Sequence, residues 1–113
     1  MYIRCTFFRG RIKPGFEEAF NRAVREELVK LQVRFPGAQE VRVLRQNECD
    51  KDEPRFELVL CLRFPSKDAI AKALASDVRA ESRQLTKRIL TMFDGDIIHT
   101  VFDAEEYPMA NAE

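Results

Sequence analysis

Apolar and polar residues alternate along several short segments, which is the pattern of a β-strand with two different faces. The clearest of these segments is Arg55–Phe64, where every second position is apolar: Phe56, Leu58, Leu60, Leu62 and Phe64. Three more segments are rich in β-branched and aromatic residues, namely Tyr2–Phe8, Ala38–Gln46 and Ile97–Phe102. The first of them is expected to end before Gly10. The pattern therefore predicts four strands.

Between the strands, apolar residues recur at intervals of three and four, which predicts helices. One helix is expected from about Phe16 to Arg34, and Pro36-Gly37 should stop it. A helix pair should follow the third strand, with Ser66 as the N-cap of its first member and Ser76 as that of its second. Asp94-Gly95 is expected to turn the chain into the last strand.

The order strand, helix, strand, strand, helix pair, strand is that of an α+β, ferredoxin-like βαββαβ domain. Two right-handed split β-α-β units give a four-stranded antiparallel sheet in the order 4-1-3-2, with the helices on one face. The chain has 113 residues, which fits one such domain. We expect the domain to span residues 1–104 and a C-terminal tail to span residues 105–113.

The second face of the predicted sheet is also apolar. Ile98 and Phe102 point away from Ile97 and Val101, and Val59 lies opposite the leucine row of the third strand. A sheet with one face in water should be polar on that face. No further segment of the chain is left to cover it, so we expect a homodimer in which two sheets pack face to face.

Charge argues against nucleic acid and membranes as partners. The 19 basic and 19 acidic residues cancel, so the chain has no broad field to attract anionic polymers or lipid surfaces. An RNA-recognition motif shares this strand order, but its exposed aromatic positions are here Glu57, Val59 and Cys61. A basic cluster on the last helix is interleaved with Glu81, which indicates a solvated face. Its members are Arg79, Arg83, Lys87 and Arg88.

Neither a metal nor a cofactor is expected. The three cysteines, Cys5, Cys49 and Cys61, are an odd number without a CxxC spacing, which argues against a disulfide framework and a Cys-rich zinc site. The polar loop Asn47–Pro54 carries several carboxylates but lacks the glycine and the closing glutamate of an EF-hand. No signal-peptide pattern and no apolar run of about 18 residues occurs, so we expect a cytoplasmic protein.

Three short motifs point to a known family. Lys13–Phe20 (KPGFEEAF) opens the first helix, Phe35-Pro36-Gly37 precedes the second strand, and Leu62–Ala69 (LRFPSKDA) follows the third. On these residues the chain, from Tyr2 to Asp103, resembles the dimeric α/β-barrel superfamily. That superfamily includes EthD-like proteins, antibiotic-biosynthesis monooxygenases and stress-responsive barrel proteins. The resemblance implies a dimeric barrel. It implies no single reaction, because members include cofactor-free monooxygenases, polyketide cyclases and proteins with no known reaction.

His99 is the only histidine and the first candidate for chemistry. Its ordinary pKa of about 6.5 suits a general base or a haem ligand. A base usually has an orienting partner, and the nearest carboxylates along the strand are Asp96 and Asp103. Both faces of this strand are apolar, so alternation does not assign His99 to either. It is interpreted either as a catalytic base or as a hydrogen-bonded residue of the barrel.

A second candidate group consists of polar residues on otherwise apolar strands. Its members are Arg4, Thr6, Glu57 and Arg63. The predicted strand order puts the third strand beside the first, so Arg4 is expected to lie near Glu57 or Arg63. The group is interpreted either as a ligand-binding cluster in a cavity or as a salt-bridged edge of the dimer interface. Cys5 and Cys61 are candidate nucleophiles, although cysteines in strands usually act as small buried apolar residues.

The function expected from these features is the binding of a small apolar or aromatic molecule in a dimeric α/β barrel. One alternative is a cofactor-independent monooxygenase or a polyketide-cyclase-like enzyme that uses a cavity between sheet and helices. The other alternative is a purely structural interaction domain. A cavity with converging polar groups would favour the first two functions, whereas a filled core would favour the third.

Overall fold

The computed structural model describes residues 1–111, and its centre is a four-stranded antiparallel sheet. The elements in chain order are β1 (Tyr2–Ile12), α1 (Glu17–Ala23), a π-helical segment (Val24–Leu28), α2 (Val29–Gln32), β2 (Glu40–Leu44), β3 (Phe56–Phe64), α3 (Lys67–Leu74), α4 (Asp77–Leu90) and β4 (Phe93–Asp103). The strand order is β2-β3-β1-β4, so the predicted ferredoxin-like fold is confirmed. Residues 112 and 113 of the predicted tail lie outside the described residues.

The register of the sheet decides which residues share a face. Thr6 of β1 lies opposite Leu60 of β3 on one side and opposite His99 of β4 on the other. Cys5, the preceding residue, lies opposite Cys61. Because successive side chains point to opposite faces, Thr6, Leu60 and His99 share one face and the two cysteines share the other. Leu60 belongs to the buried row of β3, so His99 points to the helix-covered side.

Strands β1 and β4 extend beyond their predicted ends. The sequence predicts that Gly10 ends the first strand and that Asp94-Gly95 is a turn, whereas Gly10 lies opposite Gly95 inside the ladder. A Cβ on Gly10 would lie 2.2 Å from the Asp94 carbonyl oxygen, and one on Gly95 would lie 2.0 Å from that of Arg9. The predicted strand end before Gly10 and the predicted turn at Asp94-Gly95 are therefore both wrong. These glycines serve the close approach of two backbones rather than a change of direction.

The predicted first helix is present as a helical stretch from 17 to 32, with a π-helical segment in its middle. Four of its buried residues, Phe20, Val24, Leu28 and Gln32, recur at intervals of four. On a regular α-helix, four residues overshoot a full turn by about 40°. A wider π turn reduces this drift and keeps the row directed at the sheet. Gln32, the last member of the row, thereby reaches the interior.

The two predicted serine caps are confirmed, and the second one positions α4. The Ser66 Oγ accepts a hydrogen bond from the Ala69 backbone N–H at 3.1 Å, and the Ser76 Oγ accepts one from the Arg79 N–H at 3.3 Å. With its start fixed at Ser76, α4 carries Arg79, Arg83 and Lys87 at intervals of four. Residues at this spacing form one stripe along a helix.

The core lies between the helices and one face of the sheet. Phe8, Leu58 and Leu60 pack there against residues of the helices such as Phe20 and Ile89. A second group, formed by Leu62 and Phe64 with Ile70 and Ala73, continues the core under α3. None of the helices within residues 1–111 is long and apolar enough to cross a membrane.

The opposite sheet face, here called the open face, carries apolar side chains from every strand. Its apolar members are Ile3, Phe7, Leu44, Val59, Ile98 and Phe102. Leu44 and Phe102 are each 48% exposed, and the rings of Phe7 and Phe102 lie 6.5 Å apart. The described helices pack on the other side of the sheet. An apolar face of this extent is unusual for a surface in contact with water.

Candidate functional site

A cavity of about 310 Å³ opens between the helix-covered face of the sheet and α4. Its lining residues are Arg4, Thr6, Phe8, Gln32, Phe35, Leu60, Arg79, Ser82, Arg83, Thr86, Lys87, Leu90, Ile97 and His99. The strands β1, β3 and β4 supply the floor, and α4 supplies one wall. The volume lies at the lower end of the range of roughly 300–1,000 Å³ that is typical of small-molecule sites.

The lining is apolar on one part and cationic on another. Phe8, Phe35, Leu60, Leu90 and Ile97 form the apolar part. The cationic part comes from β1 and α4, and its members are Arg4, Arg79, Arg83 and Lys87. A site with this division is suited to a ligand that has an apolar body and a polar or charged group.

His99 and Thr6 meet at the cavity, on neighbouring strands. The His99 Nδ1 lies 3.1 Å from the Thr6 Oγ1, and both groups remain partly exposed. Loss of hydration, followed by the positive charge of Arg4, lowers the pKa of His99 to about 4. Arg79 and Arg83 act in the same direction. The imidazole is therefore neutral near pH 7, which is the form that can accept a proton.

Arg4 is the most deeply placed cation of the site, with only 8% of its surface exposed. Burial, together with the nearby charge of Arg79, lowers the pKa of its guanidinium to about 10. Burial and the neighbouring Arg83 also lower the pKa of Arg79. Within residues 1–111, no carboxylate lies within 4.0 Å of any of these three guanidinium groups. Like charges thus face each other across the cavity without an acidic partner.

The wall of the cavity also contains a buried polar pair. The Gln32 Nε2 donates a hydrogen bond to the Ser82 Oγ at 3.3 Å, which ties α2 to α4. Sequence reasoning missed this pair and also missed the role of the basic stripe. The interpretation of that stripe as a solvated face is incomplete, because Arg79, Arg83 and Lys87 line the cavity while Arg88 bonds to Glu27 elsewhere. The sequence signal that could have indicated this role is the spacing of four residues, which puts Arg79, Arg83 and Lys87 on one stripe of the helix.

The structure divides the group of four polar strand residues. Arg4 and Thr6 line the cavity. Glu57 pairs instead with Arg55, at 3.0 Å. Arg63 lies on the opposite side of the sheet and pairs with Glu106 of the tail, at 2.9 Å. Only the first two of the four therefore share a site with His99.

The cysteines lie on the open face rather than at the cavity. The Cys5 and Cys61 sulfurs are 3.4 Å apart, as directly opposed residues of β1 and β3. Burial and the hydrogen bond to Cys61 raise the pKa of the Cys5 thiol to about 12. A thiol of this kind is protonated at neutral pH and is a poor nucleophile. Among the described residues, no cluster of three or more His, Cys, Asp or Glu side chains is arranged to hold a metal ion.

Comparison with known proteins places the fold. No family model matches the sequence, and no curated protein matches it. Among solved structures, an EthD family protein from Bacillus halodurans has a TM-score of 0.72 at 14% identity, over 93% of this chain and 99% of that one. An antibiotic biosynthesis monooxygenase has a TM-score of 0.64 at 19% identity, over 94% of this chain and all of that one (100%).

A third similar structure is a dimeric protein of unknown function with a ferredoxin-like fold, from Bacteroides fragilis. Its TM-score is 0.66 at 10% identity, over 91% of this chain and 95% of that one. The resemblance inferred from the sequence is thus confirmed at the level of the fold. At such low identity, similarity of fold does not carry an activity to this chain.

Proposed function

We propose that this protein binds a small apolar or aromatic molecule in the cavity between the sheet and α4. The observation that carries the proposal is the cavity itself, which has a volume of about 310 Å³ and an apolar part next to converging polar groups. A protein that served only as a structural interaction domain would gain nothing from this space, because a filled core is more stable than an open one.

The binding unit is proposed to be a homodimer joined through the open faces of two sheets. The apolar side chains of that face support this arrangement, since their burial against a second copy would remove them from water. Charged pairs lie toward the edge of the same face, such as Arg63 with Glu106. An apolar centre with a polar rim is the usual anatomy of an interface. The similar protein from Bacteroides fragilis is itself described as dimeric.

Chemical-shift mapping with two aromatic probes, 2-naphthamide and 2-naphthoate, tests the proposal. We expect at least one probe to shift the backbone amide signals of Thr6, Leu60 and Thr86. Thr86→Trp should place an indole ring in the cavity and abolish the shifts. Gln84→Trp adds the same ring to the same helix at an exposed position outside the cavity lining, and should leave binding intact. Absence of binding by both probes would favour the structural interaction domain.

A second candidate function is a cofactor-independent monooxygenase or a polyketide-cyclase-like enzyme. The observation that favours it is a neutral imidazole, His99, at the cavity beside Thr6. Such a group can take a proton from an enolisable or phenolic substrate bound there. If a panel of such compounds identifies a substrate, His99→Gln should reduce turnover by about 100-fold, which is the usual range for loss of a general base. Full activity in that variant would remove His99 from the mechanism.

A further inference from the structure

The charge of the cavity differs sharply from that of the whole chain. The sequence as a whole is neutral, with 19 basic and 19 acidic residues. The lining of the cavity, by contrast, contains four basic side chains and, within residues 1–111, no aspartate or glutamate. Its imidazole is neutral as well, because partial burial and, after it, nearby positive charge hold the pKa of His99 low. The cavity is thus a local concentration of uncompensated positive charge.

Arg4 makes this concentration costly for the free protein. Arg4 is only 8% exposed, and no carboxylate among residues 1–111 lies within salt-bridge distance of its guanidinium. Buried charges are normally paired, because burial removes their hydration without giving anything in return. Arg79 adds a like charge nearby and increases the cost. An anion bound next to Arg4 would offset this cost and would explain why an arginine lies at this position.

We propose that the natural ligand of this cavity is a small organic anion whose acidic group is held by Arg4, Arg79 and Arg83. This inference rests on the proposed function and names the class of ligand. A guanidinium presents its N–H donors as a planar fork that matches the oxygens of a carboxylate or a phosphate. An acidic group between these side chains would pair charges that now only repel each other.

The rest of the lining defines the other half of the ligand. Phe8, Leu60 and Ile97 form part of an apolar surface beside the cations. Inorganic phosphate or a short hydrophilic acid would leave this surface empty. The ligand is therefore an acid with an apolar body about the size of one or two rings.

The outer cations suit the entry of such a ligand. Arg83 and Lys87 lie on the exposed side of α4, at intervals of four from Arg79. Their charges stay hydrated, so they cost little in the free protein. Positive charge at the mouth of a cleft raises the local concentration of anions and their rate of entry. The stripe from Lys87 to Arg79 would guide an anion from solvent toward Arg4.

Isothermal titration calorimetry with four probes tests the inference. The probes are 2-naphthoate, 2-naphthyl phosphate, the neutral 2-naphthamide and inorganic phosphate. We expect one of the two naphthyl anions to bind at least tenfold more tightly than the amide, since a hydrogen bond to a charged group contributes about one to two orders of magnitude in affinity. The tighter of the two identifies the acidic group as a carboxylate or a phosphate. Inorganic phosphate should bind far more weakly than either.

Variants on α4 provide the matched comparison. Arg79→Gln and Arg83→Gln should each weaken binding of the preferred naphthyl anion by about tenfold or more, and should leave binding of the amide nearly unchanged. Arg88→Gln removes the same charge from the same helix, but Arg88 bonds to Glu27 and does not line the cavity. That control should bind like the unaltered protein. Because Arg83 is largely exposed, its substitution should not disturb the fold.

The outcomes separate this inference from the proposed function. Equal affinity for amide and anions, with no effect of the arginine variants, would overturn the assignment of an anion and leave cavity binding in place. Inorganic phosphate binding as tightly as the naphthyl anions would overturn the requirement for an apolar body. Failure of all four probes to bind would reject cavity binding and the anion together.

Discussion

Thr6 and His99 face each other across β1 and β4, with the Thr6 Oγ1 3.1 Å from the His99 Nδ1. They lie on the floor of a cavity in which the charged lining residues from the described part of the chain are all basic. This position explains why His99 is neutral at physiological pH. Partial burial and the charges of Arg4, Arg79 and Arg83 all favour loss of its proton. Among residues 1–111, no carboxylate lies within salt-bridge distance of His99 to stabilise its protonated form.

The first prediction concerns stability against pH. The pKa of His99 is lowered from 6.5 to about 4 in the folded protein, so the unfolded chain binds the proton more readily between these values. Stability contributed by the neutral form is complete above about pH 6.5 and is lost as the pH falls toward 4. Urea unfolding at pH 7.5 and at pH 5.5 should show this loss in the unaltered protein.

His99→Gln supplies the control for that measurement, because the chain has no other histidine. Carboxylates titrate mainly below about pH 5, so the variant should show little change in stability between pH 7.5 and pH 5.5. Parallel losses in both proteins would show that His99 titrates normally in the folded state.

The second prediction concerns the glycine pair that extends β1 and β4. Gly95→Ala would bring a Cβ against the Arg9 carbonyl oxygen at a distance that atoms do not tolerate, and the residue has φ 156°. Backbone must move, so we expect a loss of roughly 2 kcal/mol or more in the free energy of unfolding. Gly15→Ala is the matched control. Gly15 also has a positive φ, but nothing lies within 4 Å of its added Cβ.

The Gly15→Ala control should lose only about 1 kcal/mol in the free energy of unfolding, which is the conformational cost of replacing a glycine at positive φ. Chemical denaturation of the two variants compares them directly. Equal losses would mean that the close approach of the strands is not what requires glycine at Gly95.

The sheet is predicted well because its signals lie within short stretches of sequence. The alternating apolar residues from Leu58 to Phe64 mark a strand, and the Pro-Gly pairs mark the ends of elements. The prediction fails at Gly10 and Gly95, because a glycine is typical both of a turn and of a close approach between two strands. Only the pairing of β1 with β4 distinguishes these uses. Likewise, a basic residue every fourth position on α4 is typical of any solvated helix face. The packing of α4 over Arg4 is what turns that stripe toward a cavity, and this packing is not written in the local sequence.

The third prediction concerns assembly. We expect the protein to sediment with twice the mass of its 13.2 kDa chain. Ile98→Asp places a charge in the apolar part of the open face, where a dimer interface would strip it of water, and should yield a monomer. Val33→Asp makes the same kind of change at an apolar residue that is 63% exposed and lies at the C-terminal end of α2. It should leave the dimer intact.

Sedimentation equilibrium over low to high micromolar concentration measures both variants. An unaltered protein that remains monomeric at high micromolar concentration would contradict the dimer. Dissociation caused by Val33→Asp as well would move the interface away from the open face.

The last prediction concerns the conflict between stability and binding at Arg4. Arg4 is 8% exposed and repelled by Arg79, so the free protein should gain by its removal. Arg4→Met keeps an unbranched, apolar chain in the same space. Replacement of buried ionic groups by apolar ones is often stabilising, and we expect a gain of about 1 kcal/mol, which raises the Tm by roughly 4 °C. The same variant should lose at least tenfold in affinity for whichever of the two naphthyl anions the unaltered protein prefers. Arg63→Met, which removes an arginine paired with Glu106 on the open face, should give no such gain.

Differential scanning calorimetry and calorimetric titration of the two variants measure both effects. A lower Tm for Arg4→Met with unchanged binding would show that Arg4 supports the fold and does not serve a ligand.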